Sequence, residues 1–239
     1  MKSKNDICFL ILSREDSTRV ENKAFRSFGD TSLFDIGVGK FINSELIPNN
    51  QIYLSIHGNN LLSKANAYKK NGVNVHKRTD SSVLEGADIK EIYEVYKGLK
   101  YKYFVEINIC SFNLSIKTIN EFIEKYLSSE CNGLFGVTER KSYFWDHEMN
   151  FMSNSNQKYM DTKHALKFYE SSDSLYAGRF CDIDKNIHMG SFLSKNDPCL
   201  FIVPEEESID IDYPWEFDMA EAYYKKLKHE ECINMWSGG

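Results

Sequence analysis

The stretch Ile7-Cys8-Phe9-Leu10-Ile11-Leu12-Ser13-Arg14-Glu15-Asp16-Ser17-Thr18-Arg19-Val20-Glu21-Asn22-Lys23 decides the reading of this chain. It opens on a continuous apolar run, the pattern of a strand buried on both faces. The run gives way to a polar loop carrying Arg14, Ser17, Arg19 and Lys23. A loop leaving the carboxyl end of a buried strand is the usual ligand position in an open α/β sheet. Cations and a hydroxyl placed there fit a polyanion, most simply a nucleoside triphosphate. Scattered cations elsewhere read as a solvated basic turn; their position directly after a buried strand tips the balance.

Outward from this stretch the pattern alternates between helix and strand. Residues 33–42 fit a helix, 51–56 a strand, 60–70 a helix and 73–76 a short extended piece. Ile89, Ile92, Tyr93 and Val95 recur at helical spacing over 89–99. A strongly apolar strand over 103–109, a helix over 116–127 and a strand over 133–137 follow. Such alternation predicts βαβ units and a mainly parallel sheet covered on both faces. From 141 to 185 the sequence turns aromatic and polar, with Tyr143, Phe144, Trp145, Phe151, Tyr159, Phe168, Tyr169 and Tyr176, and no clean period. It reads either as an excursion that packs on a partner subunit or as an edge of the same sheet. A strand over 200–203 and a helix over 215–228 close the pattern, and the tail from Trp236 is expected to fray.

Composition narrows the class. The 239 residues suffice for one α/β domain, and a net charge of -6 argues against a nucleic-acid binder working through a general basic surface. Lys2 and Lys4 precede an apolar run too short for a signal peptide, and no stretch approaches the ~20 apolar residues of a membrane span. The expectation is a cytoplasmic protein. Cys8, Cys110, Cys131, Cys181, Cys199 and Cys232 are scattered without a CxxC pair, and read as reduced thiols.

A second chemical feature is Ser208-Ile209-Asp210-Ile211-Asp212-Tyr213-Pro214, which leads into the last helix. In an extended segment Asp210 and Asp212 share a face while Ile209 and Ile211 pack the other way. Two close carboxylates need a cation, and Mg²⁺ suits them because it takes oxygen ligands and bridges to phosphates. The same residues also read as a helix N-cap, with Asp212 before Pro214 and Glu216 in the first turn.

Taken together, these segments resemble the CMP-sugar synthetases, the cytidylyltransferases that activate sialic acids and related 2-keto sugar acids. That family's signature runs roughly Ala-Arg-x-x-Ser-x-Arg-x-x-x-Lys after the first strand, and here Arg14, Ser17, Arg19 and Lys23 match it. Glu15 and Asp16 stand where the family often has small residues. Ser208 to Phe217 is similar to the family's Ser-Ile-Asp-Ile-Asp-Thr-Pro-x-Asp-Phe. Between them, Asn108 and Ser111 fall at the Gln and Ser of Leu-Gln-Pro-Thr-Ser-Pro-Leu-Arg; the prolines are absent and Leu114 replaces the arginine. Arg78 resembles an arginine that touches the nucleotide, and Asp161-Thr162-Lys163 with Tyr169 resembles an acceptor-side Asn-Thr-Gln…Tyr segment. Tyr143-Phe144-Trp145 resembles an aromatic turn of the sialic acid branch.

The resemblance implies a Rossmann-like three-layer α/β/α nucleotidyltransferase fold with a mainly parallel mixed sheet. It implies one cytidylyltransferase domain over 1–239, with an accessory dimerisation lobe at about 141–185. The implied reaction moves CMP from CTP to an acidic, sialic acid-like sugar and releases pyrophosphate. Arg14, Lys23 and Asp212 would be catalytic, and Arg14, Ser17, Arg19, Lys23, Arg78, Asn108 and Ser111 would hold the nucleotide. Thr162, Lys163 and Tyr169 would meet the acceptor, and Asp210 and Asp212 would hold Mg²⁺. The implied partners are CTP, an anionic small-molecule acceptor and a second copy in a homodimer, with no nucleic acid and no membrane. Two other readings stay open: a cytidylyltransferase for a phosphonate or another acidic sugar, and a non-catalytic nucleotide-binding protein of the same fold.

Other motifs fail. Gly37-Val38-Gly39-Lys40-Phe41 lacks the spacing and following hydroxyl of a P-loop, no GxSxG elbow exists, and the histidines lack metal-ligand spacing.

Overall fold

The computed structural model describes residues 2–153 and 161–236, with side chains described as far as His229. Tyr159 and the tail 237–239 lie outside the described residues. The strands are β1 (Ile7–Arg14), β2 (Ile52–His57), β3 (Asn74–Lys77), β4 (Tyr103–Ile107), β5 (Leu134–Lys141), β6 (Lys167–Arg179) and β7 (Cys199–Ile202). They form one sheet in the order β3-β2-β1-β4-β6-β5-β7. β6 runs antiparallel to β4 and β5, and every other pairing is parallel. The sheet is mainly parallel, as the alternation predicts, and mixed, as the resemblance implies.

The helices are α1 (Leu33–Ile42), α2 (Asn59–Asn66), α3 (Ile89–Ile92), α4 (Ile116–Ser128), α5 (Phe180–Ile183) and α6 (Pro214–Trp236). Alternate residues of β1 feed two cores. Ile7, Phe9 and Ile11 pack among apolar residues of α1, α2, α4 and α6. Cys8 and Leu10 face Tyr93, Val95, Phe104, Phe180 and Ile183 on the other side. Burial on both faces explains why β1 is a continuous apolar run rather than an alternating one. Among the described residues, no helix is long and apolar enough to cross a membrane.

Three expectations need correction. The helix expected over 89–99 stops after α3 and continues as a 3₁₀ turn, Glu94–Gly98. The break lets Tyr93 and Val95, two positions apart, both enter the core, which one α-helical face does not permit. The segment 141–185 contains a 13-residue strand, β6, that the sequence hides. Its inward positions include Ser172 and Ser174, whose hydroxyls pair with each other at 2.7 Å, so no apolar alternation marks it.

The third correction concerns the cysteines. Cys131 and Cys199 form a disulfide, with Cα atoms 6.0 Å apart across 68 residues of sequence. The parallel pairing of β5 with β7 sets Leu134 against Cys199, which carries that cysteine to the turn before β5. Cys8 and Cys110 are buried free thiols, and Cys181 is free and exposed.

Lys40, in the sequence that fails as a P-loop, has a packing role. Its Nζ donates to the carbonyls of Ser111 and Phe112, at 2.6 and 2.8 Å, and so ties α1 to the loop after β4. Burial pushes its pKa down to about 7, with the Glu207 carboxylate opposing the shift. Leu114, at the place of the family's arginine, is buried in the main core.

The disulfide yields a direct expectation. Reduction should lower unfolding stability by about 2–4 kcal/mol, as expected for a bridge closing a long loop. Denaturant melts with and without dithiothreitol check this, and Cys199→Ser should abolish the difference. A reductant response that persists in that variant would contradict the pairing.

Candidate active site

Strands β2 and β3 lie to one side of β1, and β4 lies to the other. The chain therefore reverses its direction of travel across the sheet between β1 and β4, and a crevice opens at the carboxyl ends of strands at such a point. A cavity of about 400 Å³ occupies this position. Arg14 at the end of β1 and Ser17, Arg19 and Lys23 in the loop that follows contribute to its wall. Asn108 and Cys110 come from the loop after β4, Asp173 and Tyr176 from β6, and Asp210 and Asp212 from the segment before α6.

The cations and the carboxylates meet directly. Arg19 Nη1 lies 2.6 Å from Asp212 Oδ2, and Lys23 Nζ lies 3.7 Å from Asp212 Oδ1. Lys23 also donates to the Ile211 carbonyl. These contacts join two segments almost two hundred residues apart in sequence. Arg14 reaches away, donating from Nη1 to the Val83 carbonyl at 3.0 Å.

Asp210 is in a different electrostatic position. Burial, then the neighbouring Asp212 carboxylate, raises its pKa above the ordinary carboxylate value, with Lys23 opposing. Its Oδ1 is buried without a hydrogen-bond partner. Asp212 is fixed through its backbone. Glu216 Oε2 accepts from the amides of Asp212 and Tyr213, at 2.6 and 2.8 Å, as an N-terminal cap of α6. The capping and cavity-lining readings of this segment therefore hold together.

Glu15 and Asp16 do not confront the cavity. Glu15 turns toward α2, where Oε2 accepts from the amides of Asn60 and Leu61 at 2.9 and 3.3 Å. A carboxylate at a helix N-terminus is favoured by the unpaired amides and the macrodipole. Gly58 makes room for it: its φ is +96°, and a Cβ there would sit 2.3 Å from Glu15 Cβ. Asp16 is exposed to solvent.

Several expected residues lie elsewhere. Arg78 is buried outside the cavity wall, donating from Nε to Ser82 Oγ and from Nη2 to the Ser82 carbonyl, at 3.1 and 2.6 Å. It fixes the turn whose next carbonyl, on Val83, accepts from Arg14. Its link to the cavity thus runs through Arg14. Ser111 is buried, with an unpartnered Oγ, and its carbonyl serves Lys40. Asn108 reaches the cavity with its polar groups engaged, Nδ2 on the Asp173 carbonyl and Oδ1 on the Cys110 amide. Thr162, Lys163 and Tyr169 are exposed and do not line the cavity.

The sequence reading missed Asp173 and Tyr176. Asp173 has a φ of +47° inside β6, in a run of small polar residues that carries no strand period. That left-handed residue interrupts the regular pleat beside the cavity. Among the described residues, no group of three or more His, Cys, Asp or Glu side chains forms a metal cage.

Comparison with family models and with curated protein sequences finds no match. Solved structures do match. A CMP:2-keto-3-deoxy-manno-octonic acid synthetase complexed with CTP aligns with a TM-score of 0.67 at 9% identity, covering 93% of this chain and 99% of the other. A 4-diphosphocytidyl-2C-methyl-D-erythritol synthase from Anaerococcus prevotii aligns at 0.62 and 13% identity, covering 93% and 100%. The chain has the fold of the cytidylyltransferases. A cytidylyltransferase from Leptospira borgpetersenii also aligns, at 0.55 and 14% identity over 90% and 85% of the two chains. At these identities the shared property is the α/β fold alone.

The raised pKa of Asp210 has a testable consequence. The group favours the folded state when protonated, and this contribution is lost as pH rises through its folded-state pKa. Without divalent metal, Asp210→Asn should therefore melt above the wild type at neutral pH. The gap should close as pH falls below the ordinary carboxylate range. Thermal melts across pH check this, and a variant less stable at neutral pH would contradict the assignment.

Proposed function

We propose that this chain is a CTP-dependent cytidylyltransferase that moves CMP onto an acceptor hydroxyl and releases pyrophosphate. The observation that carries the reading is the joining of Arg19 and Lys23 to Asp212 at the β1–β4 crevice. Cations for a triphosphate and carboxylates for a metal then share one wall. The fold of proteins described as cytidylyltransferases supports the choice of nucleotide.

In this reading Arg14, Ser17, Arg19 and Lys23 hold the triphosphate. Arg19 and Lys23 exchange Asp212 for phosphate oxygens as CTP enters. The acceptor hydroxyl oxygen attacks the α-phosphorus in line and gives its proton to solvent, the bond to the β-phosphate oxygen breaks, and pyrophosphate leaves with its electron pair. Such a transfer depends on positioning and charge neutralisation more than on covalent participation by the protein. Lys23 is suited to the developing charge because its Ile211 contact anchors it beside Asp212.

Asp210 and Asp212 fit Mg²⁺. Both offer hard oxygen donors, Asp210 keeps a buried oxygen without a partner, and Mg²⁺ is commonly held by one or two carboxylates plus phosphates. When bound, the ion supplies Lewis-acid polarisation of the phosphate. The two carboxylates' own part is to fix its place and to be relieved of their mutual repulsion.

The acidic-sugar reading of the acceptor rests on the resemblance and on Lys163, which is exposed away from the cavity wall. The homodimer reading is supported by the exposed apolar side chains Trp145, Met149, Phe151 and Met152. Sedimentation should give twice the chain mass, and Trp145→Glu with Phe151→Glu should halve it.

Two substitutions test the chemistry. Asp212→Ala should reduce pyrophosphate release from CTP by at least about a hundredfold while circular dichroism stays unchanged. Lys23→Ala should lower kcat/KM for CTP by about tenfold or more with a small change in melting temperature. Normal turnover by either variant would remove that residue from the site.

A further inference from the structure

The cavity at the β1–β4 crevice adjoins a second one of about 420 Å³, and the two share Leu12, Asn108, Asp173 and Tyr176. Glu106, Phe135, His188 and Met189 complete the second cavity. The proposed triphosphate reading uses none of these four. The two cavities differ in charge. Arg14, Arg19 and Lys23 stand in the first, whereas among the described residues no lysine or arginine lines the second.

Glu106 is the unusual member. It sits on β4 within the sheet, with 9% of its surface exposed. The Tyr93 hydroxyl donates to its Oε2 and also meets His188 Nε2, which lies 3.5 Å from the same carboxylate oxygen. Burial and the Glu106 charge raise the Tyr93 pKa well above its ordinary value, so Tyr93 remains a protonated donor. Arg78 feels the Glu106 charge, but its guanidinium is bonded to Ser82 and lines neither cavity.

A buried carboxylate at a cavity wall is costly without a compensating charge. The side chain of Asp173 adds a second carboxylate at the boundary between the two cavities. Phe135 and Tyr176 stack with centroids 5.7 Å apart and present an aromatic wall. Carboxylates beside aromatic rings attract an ammonium group, by ion pairing and by the ring quadrupole. A ligand carboxylate in the same place would face like charge with, among the described residues, no lysine or arginine lining the space, and His188 is already turned onto Glu106.

We propose that the second cavity is the acceptor subsite and that it selects a hydroxylated acceptor carrying a protonated amine rather than a carboxylate. The inference rests on the cytidylyl-transfer reading, which supplies CTP at the first cavity. The amine is held by Glu106 and Asp173, and an acceptor hydroxyl points back past Asn108 toward the α-phosphate. The amine takes no part in the bond changes.

The test is pyrophosphate release with CTP and Mg²⁺ against a panel of amino sugars and amino alcohols. Each is paired with its N-acetylated form, and 2-keto sugar acids are run beside them. CTP binding is measured separately by calorimetry. Turnover should occur with free amines and fall by about tenfold or more on acetylation, the scale of one charge-assisted hydrogen bond. Glu106→Gln should raise KM for the amine acceptor by about the same factor while leaving CTP binding unchanged. If that variant does not fold, Asp173→Asn, at an exposed position, should raise the same KM. CTP binding with turnover only on sugar acids, or on no member of the panel, overturns this inference and leaves nucleotide binding in place. Absence of CTP binding overturns both.

Discussion

Asp212 is where two distant parts of the chain are held to one another by charge. Arg19 and Lys23 converge on its two oxygens, and Lys23 also takes the Ile211 carbonyl. Glu216 fixes the Asp212 backbone from the first turn of α6. The crevice wall follows from these contacts, because they set the loop after β1 against the segment that carries both carboxylates. Arg19 and Asp212 are partly exposed, with side chains 56% and 34% accessible, so the pair is a weak clamp. In the proposed function, a weak clamp lets a triphosphate replace one partner.

The sheet explains why the clamp lies where it does. β1 and β4 are neighbouring parallel strands whose connections leave in opposite directions. Loops from both ends diverge and leave space, and the antiparallel β6 closes the far wall with Asp173 and Tyr176. The resulting cavity is electrostatically graded, cationic at the loop after β1 and anionic toward Glu106. In the proposed function, this gradient places nucleotide and acceptor at opposite ends. Lys40 adds rigidity from behind by bonding two carbonyls of the loop that follows β4.

What was legible in the sequence was local. The apolar run of β1, the cations that follow it and the alternating aspartates are read from adjacent residues, and the fold places them together. Glu15 was illegible because its partners are amides of α2, forty-five residues away. Arg78 and Ser111 follow strands, as site residues often do, but their polar groups are turned into packing. β6 was hidden because serines occupy its inward positions, and with it went Asp173 and Tyr176. Cys131 and Cys199 could be paired only once the strand order was known.

The most direct measurement is a crystal structure of the chain with CTP and Mg²⁺. The account predicts the triphosphate in the β1–β4 crevice, with Lys23 Nζ within hydrogen-bond reach of a phosphate oxygen. Arg19 should have left Asp212, and both aspartates should ligate the ion. A nucleotide bound elsewhere, with the Arg19–Asp212 pair intact, would contradict it.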